Sequence, residues 1–156
     1  MQEFFGNLVQ DLLVVLQAPD QEFRPGEAVL IKLNSEAVFT LEAARNTSGL
    51  IACWEIGEIP QSASRELWVK EALRWNDGDP DCEGVFSYAI DTGVLHLHHV
   101  FHWEGLDAQN LFEALERMHE KVLTWKEALF HGQPPQLSSQ NALTTSYQGP
   151  MMAFRP

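Results

Sequence analysis

The chain has 156 residues, 45% of them hydrophobic, with 22 acidic against 10 basic side chains and a formal net charge of -12. That apolar share supports one folded domain and excludes global disorder. The negative balance excludes nucleic acid and anionic membrane as partners, because binding either means neutralising phosphates with Lys and Arg.

Cys53 and Cys82 are the only two cysteines, too few for a disulfide framework, so both are expected as free thiols in a reducing cytosol. The start, MQEFFGNLVQDLL, carries Glu3 and no basic residue, which argues against a signal peptide. No apolar run approaches ~20 residues, so no membrane-spanning helix or membrane insertion is expected.

The first helix is predicted from Phe4 to Gln17. Phe5, Leu8, Val9, Leu12, Leu13 and Leu16 recur at helical spacing, Val14 and Val15 widen the stripe, and Pro19 stops it. Three strands follow, Ala28 to Leu33, Ala37 to Ala44 and Leu50 to Ile56, with turn residues between them. Adjacent short strands of this kind pair most simply as an antiparallel meander. Ser62 or Ser64 caps a second helix running to about Trp75, with Leu67, Trp68, Ala72 and Trp75 at helical spacing. An acidic loop, NDGDPDCE, leads into a hairpin over Gly84 to Trp103. Its turn is Asp91-Thr92-Gly93, where Gly93 can take a positive φ. Asp107 reads as the N-cap of a last helix whose stripe of Leu111, Phe112, Leu115, Met118, Val122, Trp125 and Leu129 ends at Gly132. The fold class is therefore α+β, in the order α-β-β-β-α-β-β-α, with a twisted antiparallel sheet packed by helices. The domain is taken as residues 1–131, and residues 132–156, polar and Pro-containing, as a flexible tail whose Met151, Met152 and Phe154 could dock.

Four histidines crowd one predicted strand. His96, His98 and His102 share a face, and His99 points with Leu97 and Phe101 to the other. His96, His98 and His102 are the candidates for a metal site. No Cys or HExxH element accompanies them, so the reading is half-exposed polar positions and no metal or other cofactor. The loop from Asp77 does not make a calcium site, since Pro80 breaks its rhythm and its twelfth position is Tyr88. No G-x-S-x-G, GxxxxGK[ST] or GxGxxG is present, and Cys82 among carboxylates is poorly placed to form a thiolate. Nothing points to an enzyme.

The order of elements resembles that of the class I type III secretion chaperones, the Tir-chaperone or CesT/SycE-like family, over about Asn7 to Phe130. The similarity lies in Leu12-Leu13 of the opening helix, in Ala72-Leu73-Arg74-Trp75-Asn76 closing the second helix, and in Phe86 to Leu95 around the Asp-x-Gly turn. Trp125 near the end of the last helix adds to it. The His-rich strand, the tail and the acidic loop depart from the family pattern.

The resemblance implies a cytoplasmic bacterial homodimer. Such a protein binds the N-terminal segment of a secreted effector, holds it extended and delivers it to an export apparatus that has its own ATPase. Extended partners add to sheet edges and fill apolar grooves. Leu8, Leu12 and Val15 of the first helix, with Val29, Ile31, Leu33, Phe39 and Leu41 of the strands, are the expected effector-binding residues. Leu67, Trp68, Ala72 and Trp75 are the expected dimer contact. Two other readings compete: a small metal-binding protein or metalloenzyme using the histidines, and a generic α+β adaptor of the same fold.

Overall fold

Eight elements follow one another in the expected order: α1 (Gln2–Val15), β1 (Val29–Lys32), β2 (Val38–Ala43), β3 (Gly49–Glu58), α2 (Arg65–Gly78), β4 (Val85–Ala89), β5 (Val94–His102) and α3 (Ala108–His131). The structure is a computed structural model that describes residues 2–18, 21–24, 27–32, 38–44, 49–62, 64–78 and 84–137. Leu33, Cys82, most of the acidic loop and the expected docking residues Met151, Met152 and Phe154 lie outside the described residues.

The strands form one antiparallel sheet in the order β1-β2-β3-β5-β4. The meander holds for β1 to β3. The hairpin then joins through its second strand, so β4 becomes an outer edge and β5 lies inside. α2 makes that crossing and packs on β4.

Strand side chains alternate between faces, so one parity of positions must meet the helices. Here it is Val29 and Ile31, Phe39 and Leu41, Trp54, Leu95 and Leu97, all buried in a single cluster with α1, α2 and α3. Phe39 stacks on Trp54 across the β2–β3 pair at 4.7 Å. Trp125 of α3 meets Phe86 of β4 at 4.6 Å, and Trp75 and Trp68 of α2 at 5.9 and 6.0 Å. This aromatic junction joins α2, α3 and β4.

The element ends have local causes. Asp107 caps α3 by accepting from Asn110 N–H at 2.8 Å, and Gly132 closes it in the left-handed region at φ 74°. α1 stops two residues short of the predicted Gln17. Gln17 itself takes φ 58°, and Ala18 N–H reaches back to the Leu13 carbonyl. Gly93 has φ 74° in the hairpin turn, with its N–H on the Ala89 carbonyl at 2.8 Å. Gly49 answers a different need, since a Cβ there would sit 2.5 Å from the Phe101 carbonyl oxygen of β5.

Two positions expected in the hairpin strands fall outside them. Ile90 lies in the turn and is largely exposed. Trp103 lies just past β5 and packs edge-on against Phe4 of α1 at 5.3 Å. Beyond Gly132 the chain turns back, and the Pro135 carbonyl accepts from Trp75 Nε1 at 3.2 Å.

Candidate partner-binding surface

All the described helices pack into the cluster on one face of the sheet, and no described element covers the other. The bare face is written by the even-numbered residues of β1, β2 and β5, the odd-numbered residues of β4, and those of β3 as far as Glu55, where a bulge shifts the register. Leu30, Thr40, Cys53, His98 and Val85 run across it in one row, set by the strand registers. Leu30 is 55% exposed, Val85 48%, Val38 37% and Val100 36%, so apolar surface stands open across several strands. Apolar side chains exposed on a sheet face that the described helices leave bare make it the candidate surface for a partner.

The residues expected to bind an effector lie elsewhere. Leu8, Leu12, Val29, Ile31, Phe39 and Leu41 are buried in the chain's own core, Val15 is partly exposed, and Leu33 lies outside the described residues. The core residues are correctly on one face, but it is the face the helices cover. Both parities of β1 and of the start of β2 are apolar, Val29-Leu30-Ile31 and Val38-Phe39, and a strand apolar on both faces was the available sign that a second surface exists. Leu30, Val38, Val85 and Val100 are exposed apolar residues that the expected set did not include.

The residues of the expected dimer contact are mostly turned inward as well. Trp68 and Ala72 point into the core, and Trp75 is partly buried in the aromatic junction. Only Leu67 of the four stands out from α2, at 50% exposure; Leu73, six positions further along the same helix, is 61% exposed. Helical spacing groups Trp68, Ala72 and Trp75 on one face, and that face is spent on Phe86 and Trp125. Glu71 is also drawn inward, held by Arg74 Nη1 at 2.7 Å.

The histidines of β5 do share the bare face, apart from His99, which meets Phe101 edge-on at 4.5 Å on the helix side. Strand geometry keeps His96 and His102 apart. Six residues at ~3.3 Å rise separate them by ~20 Å, too far to close on one ion. Among the described residues no three His, Cys, Asp or Glu side chains are placed to hold a metal. His98 Nδ1 instead lies 3.2 Å from Ser87 Oγ. Burial raises the Cys53 thiol above its ordinary range, and Glu42 and Glu55 add to the effect, so this thiol is no nucleophile.

Burial, and then His96, holds His98 below the ordinary value of 6.5. The unfolded chain therefore takes up this proton more readily than the folded one. The stability tied to a neutral His98 is complete above pH 6.5 and is lost as pH falls through that value toward the lower folded one. The urea midpoint is expected to drop between about pH 7.5 and about pH 5.5, and to drop less in His98→Gln.

This architecture agrees with a known family. The sequence profile of the Tir chaperone protein (CesT) family matches residues 7–126, from α1 into α3. The chain belongs to the CesT family. Two solved structures share the fold of this CesT-family chain. One is a chain of the HopA1–SchA chaperone–effector complex, with a TM-score of 0.66 and 16% identity, covering 81% of this chain and 96% of that one. The other is a chain of the ExsC–ExsE complex, with a TM-score of 0.65 and 12% identity, covering 83% and 96%. No curated protein matches significantly. At such identities the likeness establishes the fold, and the family match over all eight elements makes this a chaperone-family chain. No described helix is long and apolar enough to cross a membrane.

Proposed function

We propose that this chain is a type III secretion chaperone. It binds the N-terminal segment of one or more secreted effectors in the bacterial cytoplasm, keeps that segment extended, and hands it to the export apparatus, whose ATPase or sorting platform is a further contact. The role needs no cofactor and no catalysis. The observation that carries it is the bare, partly apolar sheet face of a CesT-family fold, with Leu30, Val38, Val85 and Val100 open to a partner. Family membership supports the chaperone role, and the chaperone–effector complex among the similar folds supports an effector as the partner. The net charge of -12 keeps such a complex soluble while apolar segments are held.

The working form in this reading is a homodimer, joined through the outward side of α2. Leu67 and Leu73 are exposed there, and a two-fold contact must be self-complementary. The test is co-expression with the N-terminal region of a secreted protein encoded beside this chain. The expected product is a stable complex with two copies of the chaperone by light scattering, and Leu73→Glu should shift the free protein to monomer. A wild-type monomer that retains no such segment would overturn the reading.

A further inference from the structure

The bare face mixes its apolar side chains with imidazoles, and holding a partner does not by itself call for them. His96, His98 and His102 stand on that side of β5, a strand flanked by β3 and β4. His98 lies between the two exposed valines: Val85 is its register partner on β4, and Val100 follows two positions along β5. His96 lines a cavity of about 470 Å³ together with Leu30, Val38, Thr40, Cys53 and Glu55. A segment seated on Val85 and Val100 therefore covers His98, and one that fills the cavity at Leu30 and Val38 covers His96.

The charged groups around the row are unevenly placed. On β3, Glu55 is opposite His96, while Cys53 is opposite His98 and keeps its thiol proton, because burial raises it. On β4, Ser87 and Val85 are opposite His96 and His98, and the strand carries no charged residue. His102 is opposite Gly49, which has no side chain to offer. Glu42 lies on β2 beyond Ile51, Lys32 lies on β1, and Lys126 of α3 reaches the cavity. Among the described residues, then, a proton on His98 meets no carboxylate across either neighbouring strand. Its close ionisable neighbour is His96, of the same sign.

We infer that the grip on the partner is proton-sensitive: an apolar segment is held while His96, His98 and His102 are neutral and is released in mild acid. This inference rests on the chaperone reading and adds how the same surface is regulated. Imidazole is the side chain that changes charge near pH 6.5. Covering its neutral form costs little, whereas covering an imidazolium beneath apolar groups without a paired carboxylate is strongly unfavourable. Protonation therefore favours the uncovered face, and binding in mild acid expels protons. Affinity is complete above the imidazole range and falls as pH passes down through it. Burial already holds His98 below 6.5 in the free chain, and a covering segment acts in the same direction.

The probe is the N-terminal region of the secreted protein encoded beside this chain, titrated calorimetrically onto the full chain at pH 7.5 and pH 5.5. Circular dichroism at both values verifies that the chain is folded. An imidazole titrating at 6.5 is about nine-tenths charged at pH 5.5, so a cover that admits only the neutral form binds about tenfold more weakly there. His98 starts lower and contributes less, and the expected loss over the whole face is at least about fivefold. The triple variant His96→Gln, His98→Gln, His102→Gln keeps polar side chains that do not titrate, and its affinity should be level between the two pH values. His131→Gln, on the exposed end of α3, should keep the wild-type slope. Wild-type affinity that stays level or rises in acid overturns the switch, as does an equal slope in the triple variant, and both leave the chaperone reading standing. No binding at pH 7.5 overturns both. Should the triple variant not fold, titration of the wild type at pH 6 in buffers of different ionisation enthalpy decides the matter. Proton release on binding is expected, and its absence overturns the inference.

Discussion

Trp125→Ala is expected to lower the unfolding free energy by about 3–5 kcal/mol, the range for truncating a large buried aromatic. Trp125 is fully buried and touches Phe86, Trp75 and Trp68, so it joins α3 to both α2 and β4. Removing it leaves a cavity that none of the three neighbours can close without moving its own element. Typical domains have only about 5–15 kcal/mol in hand, so the loss is a large fraction of the total. Urea unfolding followed by tryptophan fluorescence reads it directly, and Trp125→Phe should recover much of it by refilling the space. The same junction holds Asn76 against β4, so Trp125→Ala should also speed amide exchange at Phe86. A midpoint within experimental error of wild type would show that the junction is not the keystone its packing suggests.

The second large effect separates binding from folding. Val38→Gln combined with Val100→Gln replaces two exposed apolar side chains on the bare face, on β2 and β5. Surface changes of this kind usually alter stability by no more than about 0.5 kcal/mol each. Each side chain covered by a partner contributes on the order of 1–2 kcal/mol of apolar burial, so the pair should weaken effector binding by at least about 30-fold. Calorimetric titration of the N-terminal effector region, beside thermal unfolding of the free protein, separates the two quantities. Unchanged affinity would move the effector off this face. Trp68→Glu, by contrast, is no probe of an interface, because Trp68 is fully buried and a charge there unfolds the monomer.

Much of the architecture was legible in the chain. Helical spacing found α1, α2 and α3, the Asp91–Gly93 turn found the hairpin, and Asp107 and Gly132 marked the ends of α3 where the structure places them. These features are local: each depends on residues a few positions apart. The candidate surface was not legible in the same way. Alternation in β1 and β2 divided the residues into two sets correctly, then assigned the partner to Val29, Ile31, Phe39 and Leu41, which the helices cover. Trp68 and Ala72 were similarly grouped on one helix face, and the structure buries that face in the chain's own core. A large apolar side chain has the same signature whether it meets its own core or another molecule.

The histidines show the converse. Their shared face was predicted from parity alone, and the structure keeps His96, His98 and His102 together on it. Distance along the strand then decides against a common ion, a limit already contained in the spacing.

What the sequence by itself determined is the set of elements, their order, the turns and caps that end them, and the acidic balance that shapes the choice of partner. Those follow from backbone preference, side-chain period and charge, which act over short range or add up along the chain. Only the tertiary structure decided which face of the sheet the helices occupy, that the hairpin enters through β5, and that Asn76 bonds to the β4 edge while, among the described residues, Gln21 meets β1. Those outcomes depend on contacts between residues distant in the chain. Two faces of one strand, or two edges of one sheet, have equivalent local chemistry until the rest of the molecule covers one of them.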